Sequence, residues 1–152
     1  MCILTYLLEN MLVKCYGAAV QGIGARIVTI EVNISPGIRF LIVGLPDNAV
    51  KESHERISSA LGFCGKKLPR MQVVINMAPA DIRKEGSAYD LPLAMGILAA
   101  SGQVRSDCCD RYLLMGELSL DGVLKPIRGV LPIALKARDE GFKGIVLPLE
   151  NA

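Results

Sequence analysis

Arg26-Ile27-Val28-Thr29-Ile30-Glu31-Val32-Asn33-Ile34 alternates without a break: Val28, Ile30, Val32 and Ile34 are all apolar, while Ile27, Thr29, Glu31 and Asn33 are mixed. A period of two puts the first set on one side of an extended chain, so the stretch predicts a strand with one wholly apolar face. Val13 to Val20 before it and Ile38 to Val43 after it are also strand-like, with Gly22, Gly24 and Ser35-Pro36-Gly37 as punctuation. Three such runs in close succession predict an antiparallel meander.

Further along, Pro46-Asp47 opens a polar segment that carries Val50, Ile57 and Leu61 at helical spacing and stops at Gly62, which predicts an amphipathic helix. A basic linker from Gly62 to Arg70 leads to a buried-looking strand, Gln72 to Asn76. The loop Ala78 to Ser87 then runs into an apolar helix, Leu91 to Ala100. After Ser101-Gly102 the order is strand (Tyr112 to Leu118), turn (Asp121-Gly122), extended piece (Val123 to Ile127), helix (Val130 to Glu140) and strand (Gly144 to Leu147). The alternation predicts an α+β domain with a mixed sheet and helices mainly on one face.

The 152 residues are 51% hydrophobic with 5% aromatic and no Trp, enough for one core built on aliphatic side chains. A net charge of +2, spread along the chain, gives no bulk mandate for a nucleic-acid or membrane partner. Five cysteines (Cys2, Cys15, Cys64, Cys108, Cys109) show no metal-knuckle spacing and read as reduced thiols. No stretch approaches the ~20 unbroken apolar residues of a membrane span, so the expected location is the cytoplasm. Met11 reads as a second possible start, with residues 1 to 10 an extension outside the domain. The stop just after a strand reads as an abrupt one for a complete protein.

A nucleotide site would need a glycine-rich loop ending in Gly-Lys-Ser or Gly-Lys-Thr. Gly65-Lys66-Lys67-Leu68 lacks the hydroxyl and follows a helix, so no ATP site is expected in this segment, nor any metal. His54, the single histidine, reads as a solvated residue beside Glu52, Glu55 and Arg56. Asp90 and Glu117 read as structural acceptors of backbone N–H bonds. Lys66, Lys67 and Arg70, and separately Arg83 with Lys84, are the basic clusters that could touch DNA phosphates.

Five ordered blocks carry a specific likeness: Gly17-Ala18-Ala19-Val20-Gln21-Gly22, Val43 to Ser53, Asn76-Met77-Ala78-Pro79-Ala80-Asp81, Lys84 to Pro92, and Gly116-Glu117-Leu118. Together they resemble the N-terminal region of the ComM/YifB family of Mg-chelatase-like AAA+ ATPases, over nearly everything from Met11 to Ala152. That region is similar to the proteolytic domain of Lon, and the likeness implies a ribosomal protein S5 domain 2-like (Lon protease C-terminal-like) fold. It also implies an ATPase domain downstream, supplying ATP and Mg sites to a ring-forming homo-oligomeric parent linked to DNA recombination and competence. Lon-type peptidases use a Ser-Lys pair. By the resemblance the nucleophile position falls on Ala88 and the base position on Leu131, so both halves are lost. The fallback is a shifted pair, Ser87 with Lys84 or Lys125, although such a serine is ordinarily an N-cap and such lysines are ordinarily solvated. The rivals to a non-catalytic ATPase domain are therefore a shifted Ser-Lys peptidase and a free-standing scaffold.

Overall fold

The computed structural model describes residues Leu12–Ala152. The expected extension at residues 1 to 10 and the alternative start at Met11 lie outside the described residues. Strands β1 (Leu12–Gln21) and β2 (Gly24–Ser35) form a long antiparallel hairpin closed by the two residues Gly22 and Ile23. Gly22 takes a φ of 59°, which a tight hairpin turn requires and which glycine adopts without a side-chain clash.

The alternation in β2 becomes burial. Val28, Ile30 and Val32 are 0% exposed and Ile34 is 1% exposed, with Cys15 of β1 beside Ile30. This face packs on helix α3 (Asp90–Ala100), where Leu93 and Ile97 are fully buried. Each such side chain taken from water contributes about 1.5–3 kcal/mol. The helix lies close because Gly96 has no side chain: a Cβ there would sit 2.7 Å from Val32 Cγ2.

The expected meander does not form. Strand β3 (Phe40–Val43) pairs parallel with β4 (Gln72–Ala78), and β4 sits antiparallel between β3 and β2. The connection carries the chain back through α1 (Asn48–Lys51) and α2 (Ser53–Phe63), so β3 and β4 run in the same direction. Asp47 Oδ1 caps α1 by accepting from Val50 N–H at 2.8 Å.

Residues 112–118, expected as one strand, divide in two. Strand β5 (Tyr112–Leu114) pairs parallel with β1 and with β8 (Gly144–Val146). Met115 N–H still donates to Val146 O of β8 at 3.1 Å, and at Gly116 the chain turns away, its N–H donating to Ala88 O at 2.8 Å. Strand β6 (Glu117–Leu118) then pairs with β7 (Leu124–Lys125) as a separate ribbon. The main sheet has the order β3-β4-β2-β1-β5-β8. It is mixed, as expected, but the helices are on both faces. α4 (Val130–Asp139) packs on β2 and β1 from the side of Tyr16 and Ile27, opposite the Cys15 and Ile30 side that meets α3. The residues expected to be merely mixed on that side, Ile27 and Thr29, are partly covered as a result.

No helix among the described residues is long and apolar enough to cross a membrane. Cys15 is buried, Cys109 half-buried, and Cys64 and Cys108 exposed, all as free thiols.

Candidate functional site

Of the positions picked out by the Lon likeness, Ser87 and Ala88 line a cleft of about 430 Å³. Its walls are the end of β1 (Ala18 to Val20), the loop Gly86 to Tyr89, Met115 and Glu117, and the stretch Pro126 to Arg128 with Ile133. A more open groove of about 610 Å³ lies between Tyr16 and Phe142 but contains none of the expected site residues.

Ala88 lines the cleft, half-buried, in a short 3₁₀ turn (Ser87–Tyr89) that leads into α3. Leu131, on the first turn of α4, is 70% exposed and lies outside the lining. Neither side chain carries an oxygen or nitrogen. Ser87 Oγ donates a hydrogen bond to Glu117 Oε2 across the cleft, so its expected role as an N-cap is not the one it plays. The first turn of α3 has no side-chain cap, because the 3₁₀ turn separates Ser87 from it.

The two candidate lysines do not converge on Ser87. Lys125 stands exposed on β7, outside the cleft lining. Lys84, expected to be solvated, is 0% exposed. Its Nζ donates to Gly44 O at 2.6 Å and to Pro79 O. Its backbone is fixed too: its N–H donates to Leu45 O at 3.0 Å, and its C=O accepts from Asp47 N–H at 2.9 Å. Burial lowers its pKa; Asp81 pulls the other way and Arg26 adds to the lowering. A lysine so held cannot also reach a DNA phosphate, and that expectation is corrected for Lys84.

Behind the cleft lies a buried ion pair with no signal in the sequence. Asp90, 1% exposed at its side chain, accepts from Arg56 Nε at 2.7 Å and Nη2 at 2.9 Å, and from Leu118 N–H at 3.0 Å. Arg56 Nη2 also donates to Ala49 O at 2.7 Å. The pair ties α2, α1, α3 and β6 together. Burial raises the Asp90 pKa, opposed by Arg56 and by the Leu118 N–H, while the hydrogen bond to Asp90 raises that of Arg56. The expected structural role of Asp90 is the one the geometry gives it, through a partner that spacing did not suggest.

Against known proteins, the family described as Subunit ChlI of Mg-chelatase matches residues 30–151. The chain belongs to this ChlI family. Similar proteins include YifB of Escherichia coli, 44% identical over 129 residues (84% of this chain, 26% of that protein), and the competence protein ComM of Haemophilus influenzae, 41% identical over 138 residues (90% and 27%). Lon protease 2 of Bacillus subtilis is 33% identical over 101 residues, 66% of this chain and 18% of that protein. The chain spans about a quarter of the length of the curated relatives it matches, 28% for the mycobacterial ones.

In this ChlI-family domain the basic residues form two separate groups. Lys66, Lys67 and Arg70 lie near the C-terminal end of α3, where the side chain of Gln103 brackets the backbone of Lys67 (N–H to Oε1 3.0 Å, Nε2 to O 2.7 Å) and Lys66 Nζ donates to Gln103 O at 3.3 Å. Arg83 lies near the opposite end, exposed and 3.2 Å from Glu85. The 11 residues of α3 put about 16 Å between the ends, so the two groups do not make one patch. His54 meets Phe40 edge-on at 4.5 Å between centroids, only partly solvated. Among the described residues no group of three His, Cys, Asp or Glu is arranged to hold a metal.

Proposed function

We propose that this domain is a non-catalytic, Lon-like N-terminal domain of a cytoplasmic Mg-chelatase-type AAA+ ATPase, with the ribosomal protein S5 domain 2-like fold. It serves assembly of the parent ring and its engagement of DNA, while ATP and Mg act in the downstream ATPase domain. The family match and the relatives YifB and ComM support the placement. One observation carries the non-catalytic reading: in the cleft, Ala88 stands where the resemblance puts a nucleophile, and the neighbouring Ser87 hydroxyl is held by a carboxylate, not by a lysine. A Ser-Lys machine needs the amine within hydrogen-bond reach of the hydroxyl.

Casein and fluorogenic peptides incubated with the wild-type chain and with Ser87→Ala test this reading. The expected result is no cutting above background by either protein. Cutting by the wild type that disappears in Ser87→Ala would make the domain a shifted peptidase.

The DNA part of the proposal is tested in the longer parent by changing Lys66, Lys67 and Arg70 together to Glu. Each phosphate that is no longer neutralised reduces the slope of log K against log salt by about 0.9. Because Lys66 is turned to Gln103 O, the expected reduction is that of the phosphates met by Lys67 and Arg70. An unchanged affinity and slope would leave the linker as solvated surface.

A further inference from the structure

Helix α4 has the composition of a helix enclosed on every side, yet it is covered on one. Its residues 130–135, Val-Leu-Pro-Ile-Ala-Leu, hold no polar side chain, and a helix that is apolar all round is ordinarily buried. Here only Ile133 and Ala137 are buried, where the helix meets β1 and β2. Leu131 and Leu135, 70% and 43% exposed, are spaced by four and so share a face. At about 100° of turn per residue that face points away from the buried one.

Two more exposed apolar residues frame the start of this helix. Val20, 45% exposed, stands against Gly129, where an added Cβ would come within 2.6 Å of Val20 Cγ2. Leu149, 89% exposed, opens the last turn of the chain (Leu149–Asn151). That turn is fastened to the approach to α4: Asn151 Oδ1 accepts from Ile127 N–H at 2.8 Å, and Asn151 Nδ2 donates to Ile127 O at 2.9 Å. Ile127 and Leu131 are four positions apart, at most about 14 Å of chain. Whatever is joined to Ala152 therefore leaves the domain beside the open face of α4.

We infer that this face, Leu131 and Leu135 with Val20 and Leu149 at its margin, is where the ATPase domain of the parent docks, which rests on the placement proposed above. The exit point favours this occupant over a second copy. A domain on a short tether meets the face at an effective concentration on the order of millimolar, which free copies match only when the protein itself is that concentrated. The relatives have room for such a domain, since the matched region is between 26% and 28% of their length. Arg128, exposed beside Gly129 and in no ion pair with a described residue, gives the border a positive charge for an acidic group on the docked surface.

Hydroxyl-radical footprinting reads the face directly. In the chain alone, Leu131, Leu135 and Leu149 are expected to oxidise freely at every concentration. In the longer parent, diluted until it is monomeric, the same three residues should oxidise roughly tenfold more slowly, the factor by which docked molecules then outnumber open ones. That comparison needs no variant. In the parent, Leu131→Asp with Leu135→Asp should return Leu149 to its rate in the chain alone. Equal rates in the chain alone and in the wild-type parent overturn the inference. So does protection that appears in the chain alone as its concentration rises, or that the parent loses on dilution, since the face would then meet a second copy. ATP hydrolysis by the parent keeps the two claims apart. Hydrolysis with an unprotected face refutes the docking and leaves the proposed function standing, whereas a protected face without hydrolysis upholds the docking of the following segment and refutes its reading as an ATPase.

Discussion

Replacing Arg56 with Met is expected to lower stability by about 3–5 kcal/mol, because it leaves the buried Asp90 carboxylate without its countercharge. For a domain of this size that is a fall on the order of 10 °C in midpoint. The loss is not merely that of two hydrogen bonds, each worth ~1.5–3 kcal/mol when a charge is involved. Once alone, Asp90 either stays charged in a site with 1% exposure or takes up a proton. Thermal unfolding of Arg56→Met, Asp90→Asn and the double variant separates the two costs. The double variant should recover part of the loss, since the uncompensated charge is gone although Leu118 N–H keeps an oxygen to donate to. If Arg56→Met unfolds within about 1 °C of wild type, the ion pair is not what joins α2 to α3.

The second large effect is expected at Lys84, where Met of similar length should cost about 3 kcal/mol by leaving Gly44 O and Pro79 O without their donor. The cost is offset in part because a buried ammonium no longer has to be desolvated. pH gives a separate signature. The Lys84 pKa is lowered by burial relative to the unfolded chain. Between that lowered value and the ordinary lysine range the unfolded state binds more protons, so wild-type stability rises with pH across the interval. Below it, both states are charged and the slope vanishes. Denaturant unfolding of Lys84→Met should show the overall loss and lack that rise; an identical pH slope in both proteins would mean that Lys84 is solvated after all.

What could be read from the sequence was decided by near neighbours. The burial of Val28, Ile30, Val32 and Ile34 follows from their spacing alone, and α3 and α4 lie close to where their spacing and stop signals put them, while the single helix expected from Pro46 to Gly62 forms as α1 and α2 with a break at Glu52. What could not be read depends on residues far apart. The place of β4 between β3 and β2 is set by the return through α1 and α2, and the run of β3 looks the same whichever strand it pairs with. Gly116-Glu117-Leu118 looks extended, yet it is turned off the sheet by the bond of Gly116 N–H to Ala88 O. In a polar loop between Arg83 and Glu85, Lys84 resembles any solvated lysine; its burial is decided by a carbonyl 40 positions away. Arg56 and Asp90 are 34 positions apart and on different helices. Ala88 and Leu131 stand out only through the family resemblance, because an alanine and a leucine carry no chemical pattern of their own.

The pairing of β1 with β5 has a consequence in time. The hairpin of β1 and β2 is local and can close within ~1–10 μs of its emergence. Its outer neighbours come much later, since Ala18 meets Met115 across 97 positions of chain. At ~5–20 residues per second of synthesis, roughly 5–20 s pass before β5 reaches the ribosome exit, and β8 follows β5. Throughout that delay the nascent hairpin presents a long strand with every outward N–H and C=O unmet, a template for association with other chains. Lys14, exposed within β1, places a charge on that strand and so discourages stacking of nascent copies until the last third of the chain arrives.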